Sequence, residues 1–178
     1  MNDNWQIKNF EDCLEKVTYT NKIQRKNFLE FGEFPIISQE SNFINGYWNN
    51  EKDLLKIEKP VIIFGDHTQV LKYIDFDFVL GADGVKILKP KKILDSRYLY
   101  YFLKSIDLKN LGYARHYRLL KEIEVSYPES LVEQKQIVKK LDKLSAQTKK
   151  LEKIYQQKIN DLEELKKSIL KKAFNGEL

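Results

Sequence analysis

A chain of 178 residues is long enough to bury one ordinary core and carry an extension, and nothing in it calls for two full globular domains. A single cysteine, Cys13, excludes an intramolecular disulfide framework, and with only two histidines there is too little sulfur and imidazole for a structural zinc site, so no metal is expected. The net charge of +5 resides in residues 131–178, where twelve lysines outnumber seven acidic residues, an excess that permits nucleic-acid binding and equally fits a solvated helix face.

The opening MNDNWQIKNF lacks a basic segment leading into an apolar one, and no run approaches the roughly 18 apolar residues of a membrane span. A soluble, cytoplasmic protein is the expectation. Lys22, Arg25 and Lys26 then form a small basic cluster that suits an exposed helix face as well as a partner. The apolar run FPIIS at 34–38 reads as a strand, and a polar loop, SQESNFINGYW, follows it over residues 38–48. Gln39, Asn42 and Asn45 carry amides of the kind that pair with adenine, Ser38 adds a hydroxyl, and the Tyr47 hydroxyl suits a phosphate. The plain alternative is a polar turn made by Asn45 and Gly46.

Further strands are predicted at PVIIF (60–64), YIDFDFVL (73–80) and GVKIL (84–88), with Gly65, Gly81 and Gly84 beside them. Between the first two lies an Asp-His pair, Asp66 and His67, with Thr68 and Gln69 after it and Asp75 and Asp77 beyond. Strand ends can present such groups to a metal or to a proton in flight. Against that, Asp75 and Asp77 alternate with Phe76 and Phe78, which predicts both on the polar face of one strand, and no third imidazole exists. The triplet from Glu133 to Lys135 falls in a helix rather than on a nuclease strand. In SRYLYYFLKS, residues 96–105, Tyr98, Leu99, Phe102 and Leu103 share one helical face, so a helix should pack on the sheet. Arg115, His116 and Arg118 come next without evident acidic neighbours, and arginine there suits phosphate or guanine.

From Leu131 the period changes to seven. Ile137, Leu141, Leu144, Leu151, Tyr155, Leu162, Leu165 and Ile169 fall on one seam, interrupted by Thr148, Lys158 and Lys172. Ser130 with Glu133 makes a capping-box pattern, and Asn175-Gly176 supplies a stop. A helix this long cannot bury its stripe on a domain of about 130 residues, so a partner helix is expected. No Gly-rich phosphate loop followed by Lys-Ser or Lys-Thr is present, nor an Asn-Pro-Pro-aromatic methyltransferase motif, which places any chemistry in partners.

The tail, with LVEQ at 131–134 before IVKKLD, then LEELKKSIL and AFNGEL, closely resembles the helical region of type I restriction-modification specificity subunits. The stretch 64–88, with GDHT, YIDFDF and GADGVKIL, resembles one type of target recognition domain of that family, and GYARHYRLLKEIEVSYP its exit into the helix. WQIKNFEDCLEKV and FPIISQESNFINGYW resemble its start and first polar loop. The resemblance implies an α/β (α+β) recognition domain over residues 1–128. It implies a helical dimerisation and spacer region over 129–178 that forms an antiparallel coiled coil. Family members usually hold two of each region, so a half-subunit acting as a homodimer, or beside a different half-subunit, is implied.

Its expected role is non-catalytic: to read one half of a bipartite site on double-stranded DNA and to dock modification subunits, with a restriction motor subunit where one exists. S-adenosylmethionine would be bound by the modification partner, with no cofactor in this chain. DNA contacts are then expected from Ser38, Gln39, Asn42, Asn45, Tyr47, His67, Thr68, Gln69, Arg115, His116 and Arg118. Dimer contacts fall to the eight seam residues. The residues alone leave two other classes open: a coiled-coil adaptor whose α/β head binds protein, and a metal-dependent nuclease.

Overall fold

The computed structural model describes residues 4–82, 84–109, 111–112 and 114–177. Asp83, Tyr113 and Leu178, which belong to motifs quoted above, lie outside the described residues, as do the first three residues of the expected recognition domain. The chain divides into two units, one running to Val138 and one from Lys139.

In the first unit, strand β1 (Trp5–Asn9) pairs antiparallel with β11 (Glu124–Pro128), from Trp5 opposite Pro128 to Asn9 opposite Glu124. That pairing sets the start of the unit beside its exit. A second, antiparallel sheet has the order β2 (Leu14–Glu15), β10 (Val85–Pro90), β7 (Val61–Gly65), β8 (Leu71–Ile74). The third is mixed. Its centre is β9 (Phe78–Gly81), parallel to β3 (Lys22–Ile23) and to β4 (Phe34–Ile37) and antiparallel to β6 (Leu54–Leu55), while β5 (Gly46–Trp48) continues from β4.

β7 is the continuous apolar run Val61 to Phe64 because both of its faces are covered. Ile62 and Phe64 enter one core with Phe10, Leu88, Leu99 and Tyr127, whereas Val61 and Ile63 enter a second with Ile37, Ile74, Phe78 and Leu80. Helix α1 (Ser96–Lys104) follows the predicted face: Tyr98, Leu99 and Leu103 are buried and Phe102 partly so. Asp95 starts it by accepting from the backbone N–H of Arg97 (2.9 Å) and Tyr98 (3.0 Å). A short helix, α2 (Tyr117–Lys121), precedes β11.

The expected α/β (α+β) head is therefore present, with one correction. YIDFDFVL is not one strand: Tyr73 and Ile74 end β8 in one sheet, and Phe78 to Leu80 open β9 in another. Ile74 pairs with Val61 of β7 and Phe78 with Leu55 of β6, so the link between them crosses from sheet to sheet while both side chains reach the second core. Asp77 is consequently no ladder residue, and its Oδ1 accepts from the Ile57 N–H at 2.8 Å. Phe76 stands edge-on to Phe43, with ring centres 6.0 Å apart.

Helix α3 (Leu131–Phe174) has 44 residues, about 66 Å at 1.5 Å per residue. Its first two turns belong to the first unit, where Val138 is buried and Gln134 is wholly enclosed. Gln134 Nε2 donates to the carbonyls of Ile93 (3.0 Å) and Pro128 (2.8 Å), and its Oε1 accepts from Asp95 N (2.8 Å). In the second unit every residue from Leu151 to Glu177 is exposed. The helix stops as predicted at Asn175-Gly176. Gly176 (φ +73°) turns the chain so that its N–H reaches Ala173 O (3.2 Å) and that of Glu177 reaches Lys172 O (2.9 Å). No helix among the described residues is long and apolar enough to cross a membrane.

Candidate nucleic-acid interface

Gln39 and His67 link three polar segments of the first unit. Gln39 Oε1 accepts from the His67 backbone N–H (3.1 Å), and the Gln39 carbonyl accepts from Thr68 Oγ1 (2.6 Å). His67 Nδ1 lies 3.2 Å from the carbonyl of Ala114, the residue before Arg115, so that nitrogen carries the proton and donates. The loop after β4, the turn between β7 and β8 and the segment before α2 thus share one surface. Two glycines permit the fit. A Cβ on Gly84, at φ +68°, would collide with the Gln39 amide, and one on Gly65 would collide with Thr68 Oγ1 and come within 2.9 Å of Gln39 Cβ. Gln69, at φ +57°, completes the turn with its N–H on Gly65 O (2.8 Å).

Asp66 is buried and engaged at every polar atom. Its N–H donates to Gly84 O (2.6 Å), and its carbonyl accepts from His116 N (2.7 Å). Oδ1 accepts from Tyr117 N (2.8 Å) and Oδ2 lies 3.9 Å from Lys86 Nζ. The His116 ring spans the same gap: Nε2 accepts from Leu111 N (3.1 Å), which leaves Nδ1 to donate to Asp66 O (3.0 Å). This pair fastens the β7–β8 turn to the first turn of α2. Among the described residues no three His, Cys, Asp or Glu side chains gather as a metal site would require.

The sequence-predicted contact residues separate by burial. Asn42, Thr68, Arg115 and Arg118 are exposed, and Gln39, Asn45, Tyr47, His67 and Gln69 are half-buried. Ser38 (3 % exposed) and His116 (1 %) lie inside, because the hydrogen bonds that fix the loops need them there. Asn45 is also committed inward: its Oδ1 accepts from Ser38 N (2.8 Å) and its Nδ2 donates to Asn42 O (3.2 Å). Tyr47 sits on β5 against Gly32 and exchanges backbone hydrogen bonds with Leu29. Arg115 and Arg118 make no ion pair among the described residues, whereas Arg25 is held by Glu40 at 2.7 Å. Arg25 and Lys26 flank an open groove shared with Gln39, Glu40 and Thr68, which brings the small basic cluster to the edge of the same surface.

One residue that sequence reasoning passed over is Lys72, 3 % exposed on β8. Its Nζ donates to Asn42 O (2.5 Å), Phe43 O (3.3 Å) and Asn45 Oδ1 (2.9 Å). The available signal was its register, two residues before core Ile74 and therefore on the same strand face. Burial pushes its ammonium down from 10.5 to about 8, against the opposing pull of Glu40. Between those values the unfolded chain binds the extra proton, so this residue makes stability rise with pH. Urea unfolding of wild type and Lys72→Met should show the difference moving in favour of wild type from pH 8 to pH 10, with no such movement below pH 7. A flat difference throughout would mean that the ammonium is solvated.

Residues 2–164 match the family described as the type I restriction modification DNA specificity domain, and the chain belongs to that family. It is 30% identical over 145 residues to the specificity subunit of the type I restriction enzyme EcoR124I/EcoR124II of Escherichia coli, covering 72% of this chain and 35% of that one. Among solved structures, it is similar over its whole length to a chain from work on complex assembly and conformational transition of the type I R-M system (TM-score 0.78, 18% identity, 47% of that chain). It is likewise similar to the HsdS subunit from Thermoanaerobacter tengcongensis (TM-score 0.64, 16% identity, all of this chain and 46% of that one). The chain spans less than half the length of these relatives.

Proposed function

We propose that this chain is a DNA-reading specificity subunit whose first unit recognises one half of a bipartite double-stranded site. The observation that carries the reading is the joining of three polar segments by hydrogen bonds through Gln39 and His67, segments on which Asn42, Thr68 and Arg115 are exposed and Gln69 half-buried. Amide and hydroxyl groups suit base edges in the major groove, and an exposed arginine suits guanine or phosphate. In this reading residues 1–128 form the recognition domain, and residues 129–178 pair with a second copy as an antiparallel coiled coil. The chain itself is non-catalytic. Methyl transfer from S-adenosylmethionine to adenine, and any restriction, belong to modification and restriction subunits that it docks in the cytoplasm.

The exposed apolar residues of α3 support the pairing and leave room for further helices. Leu144, Leu151, Tyr155, Leu162, Leu165 and Ile169 keep the seven-residue period, while Ile154 on one flank and Ile159 and Leu170 on the other widen the stripe to an arc of about 160° at 100° per residue. That is broader than the seam between two helices.

Arg115→Ala is expected to weaken binding to the selected DNA site by about 1–3 kcal/mol and to relax preference at one base position if the guanidinium grips a base. Mobility shifts with the selected site and with random duplex read this out. Equal losses on both would make the arginine a phosphate contact, and no loss on either would remove the segment before α2 from the interface.

A further inference from the structure

We infer that Lys72 is a positioning residue that sets which bases the loop of residues 38–45 can read, an inference that rests on the DNA-reading role proposed above. The lysine is buried in the face of β8 that carries Ile74, and its three ammonium protons meet three acceptors on that loop, Asn42 O, Phe43 O and Asn45 Oδ1. Asn45 Oδ1 also accepts from Ser38 N, so one cation and one amide join the beginning of the loop to its end. The Asn45 N–H to Ile36 O bond (2.9 Å) closes the same loop against β4.

An apolar side chain at position 72 would avoid the cost of desolvating a cation. What the ammonium adds is direction. By drawing the carbonyls of residues 42 and 43 inward it fixes the backbone on which Ser41, Asn42, Phe43 and Ile44 stand, all four of them exposed. Lys72 touches the loop from behind and is itself covered, so its influence on DNA passes through the loop's shape. Glu40, the acidic neighbour whose field reaches it, sits in that loop and pairs with Arg25. The loop is thereby tied both to the core and to the basic edge of the groove.

The test uses the full chain with a pool of random 30-base-pair duplexes, together with amide hydrogen exchange of residues 38–45. Lys72→Met should raise exchange of those amides at least tenfold. It should keep affinity for the unselected pool within about twofold and reduce enrichment of the motif chosen by wild type at least tenfold. Lys72→Arg, which restores the charge and donors, should recover part of the enrichment. If Lys72→Met does not fold, Asn45→Ala removes one acceptor and the clamp on Ser38, and the same changes should appear in weaker form. Unaltered exchange in the loop overturns the positioning role. Raised exchange with the wild-type motif intact also overturns it, because the loop would then not set the preference. A wild-type chain that selects no motif overturns the DNA reading itself, and the inference falls with it.

Discussion

Leu144→Asp combined with Leu162→Asp is expected to convert the proposed dimer to monomers or to an insoluble chain. Both leucines stand on the seven-residue seam of α3 and are exposed in the single chain, 57% and 64%. Burying a fully exposed leucine contributes about 1.5–3 kcal/mol, pairing can bury only the part still exposed, and two-fold symmetry makes each substitution count twice, so the loss is on the order of 4–7 kcal/mol before any cost of burying carboxylates. A micromolar dimer is held by only about 8 kcal/mol. The substituted helix still folds at its N-terminal end, where Gln134 and Val138 belong to the head. Light scattering with far-ultraviolet circular dichroism therefore separates dissociation from unfolding. A dimer of unchanged mass would reject α3 as the interface.

The second large effect is expected at Asp66. Removing its carboxylate in Asp66→Ala leaves the Tyr117 N–H without its acceptor inside the protein and deprives Lys86 of its acidic neighbour. An orphaned buried donor costs about 1–3 kcal/mol, and loss of a hydrogen bond to a charged group lies in the same range, so unfolding should become easier by about 3 kcal/mol. The segment carrying Arg115 would loosen from the β7–β8 turn, and DNA binding should weaken in parallel. Asp66→Asn keeps an acceptor for Tyr117 and should be milder. A nuclease built on this Asp-His pair predicts the reverse pattern, with stability intact and metal-dependent cleavage abolished in both variants.

How far these roles can be read in advance depends on the distance over which each is decided. Helix α3 is legible because a seven-residue period sustained over 44 residues and a terminal Asn-Gly are local signals, and α1 is legible from four apolar positions on one face. The division of YIDFDFVL between two sheets is not, since alternation of Asp and Phe is the same for one strand as for two; what splits it is the pairing of Tyr73 and Ile74 with β7 and of Phe78 with β6. Strands β2, β3 and β6 have two residues each and carry no period at all. In the candidate interface, the polar segments could be named, yet the inward duties of Asn45 and His116 arise from partners up to 50 residues away. Lys72 was hidden for the same reason: its three acceptors lie 27 to 30 residues upstream.

The central claim is that two copies of one reading surface, related by a two-fold axis and separated by paired helices, recognise DNA. An isologous pair presents the same surface to opposite strands, so the site must repeat as an inverted half-site, and the helices make the unread spacer nearly constant in length. The direct measurement is a genome-wide map of methylated adenines in cells that carry this chain and its methyltransferase partner and no other specificity subunit. The expected result is an interrupted palindrome with one spacer length, lost when Leu144→Asp and Leu162→Asp are introduced together. Methylation at sites with two unrelated halves would contradict the homodimer and require a second, different reading chain.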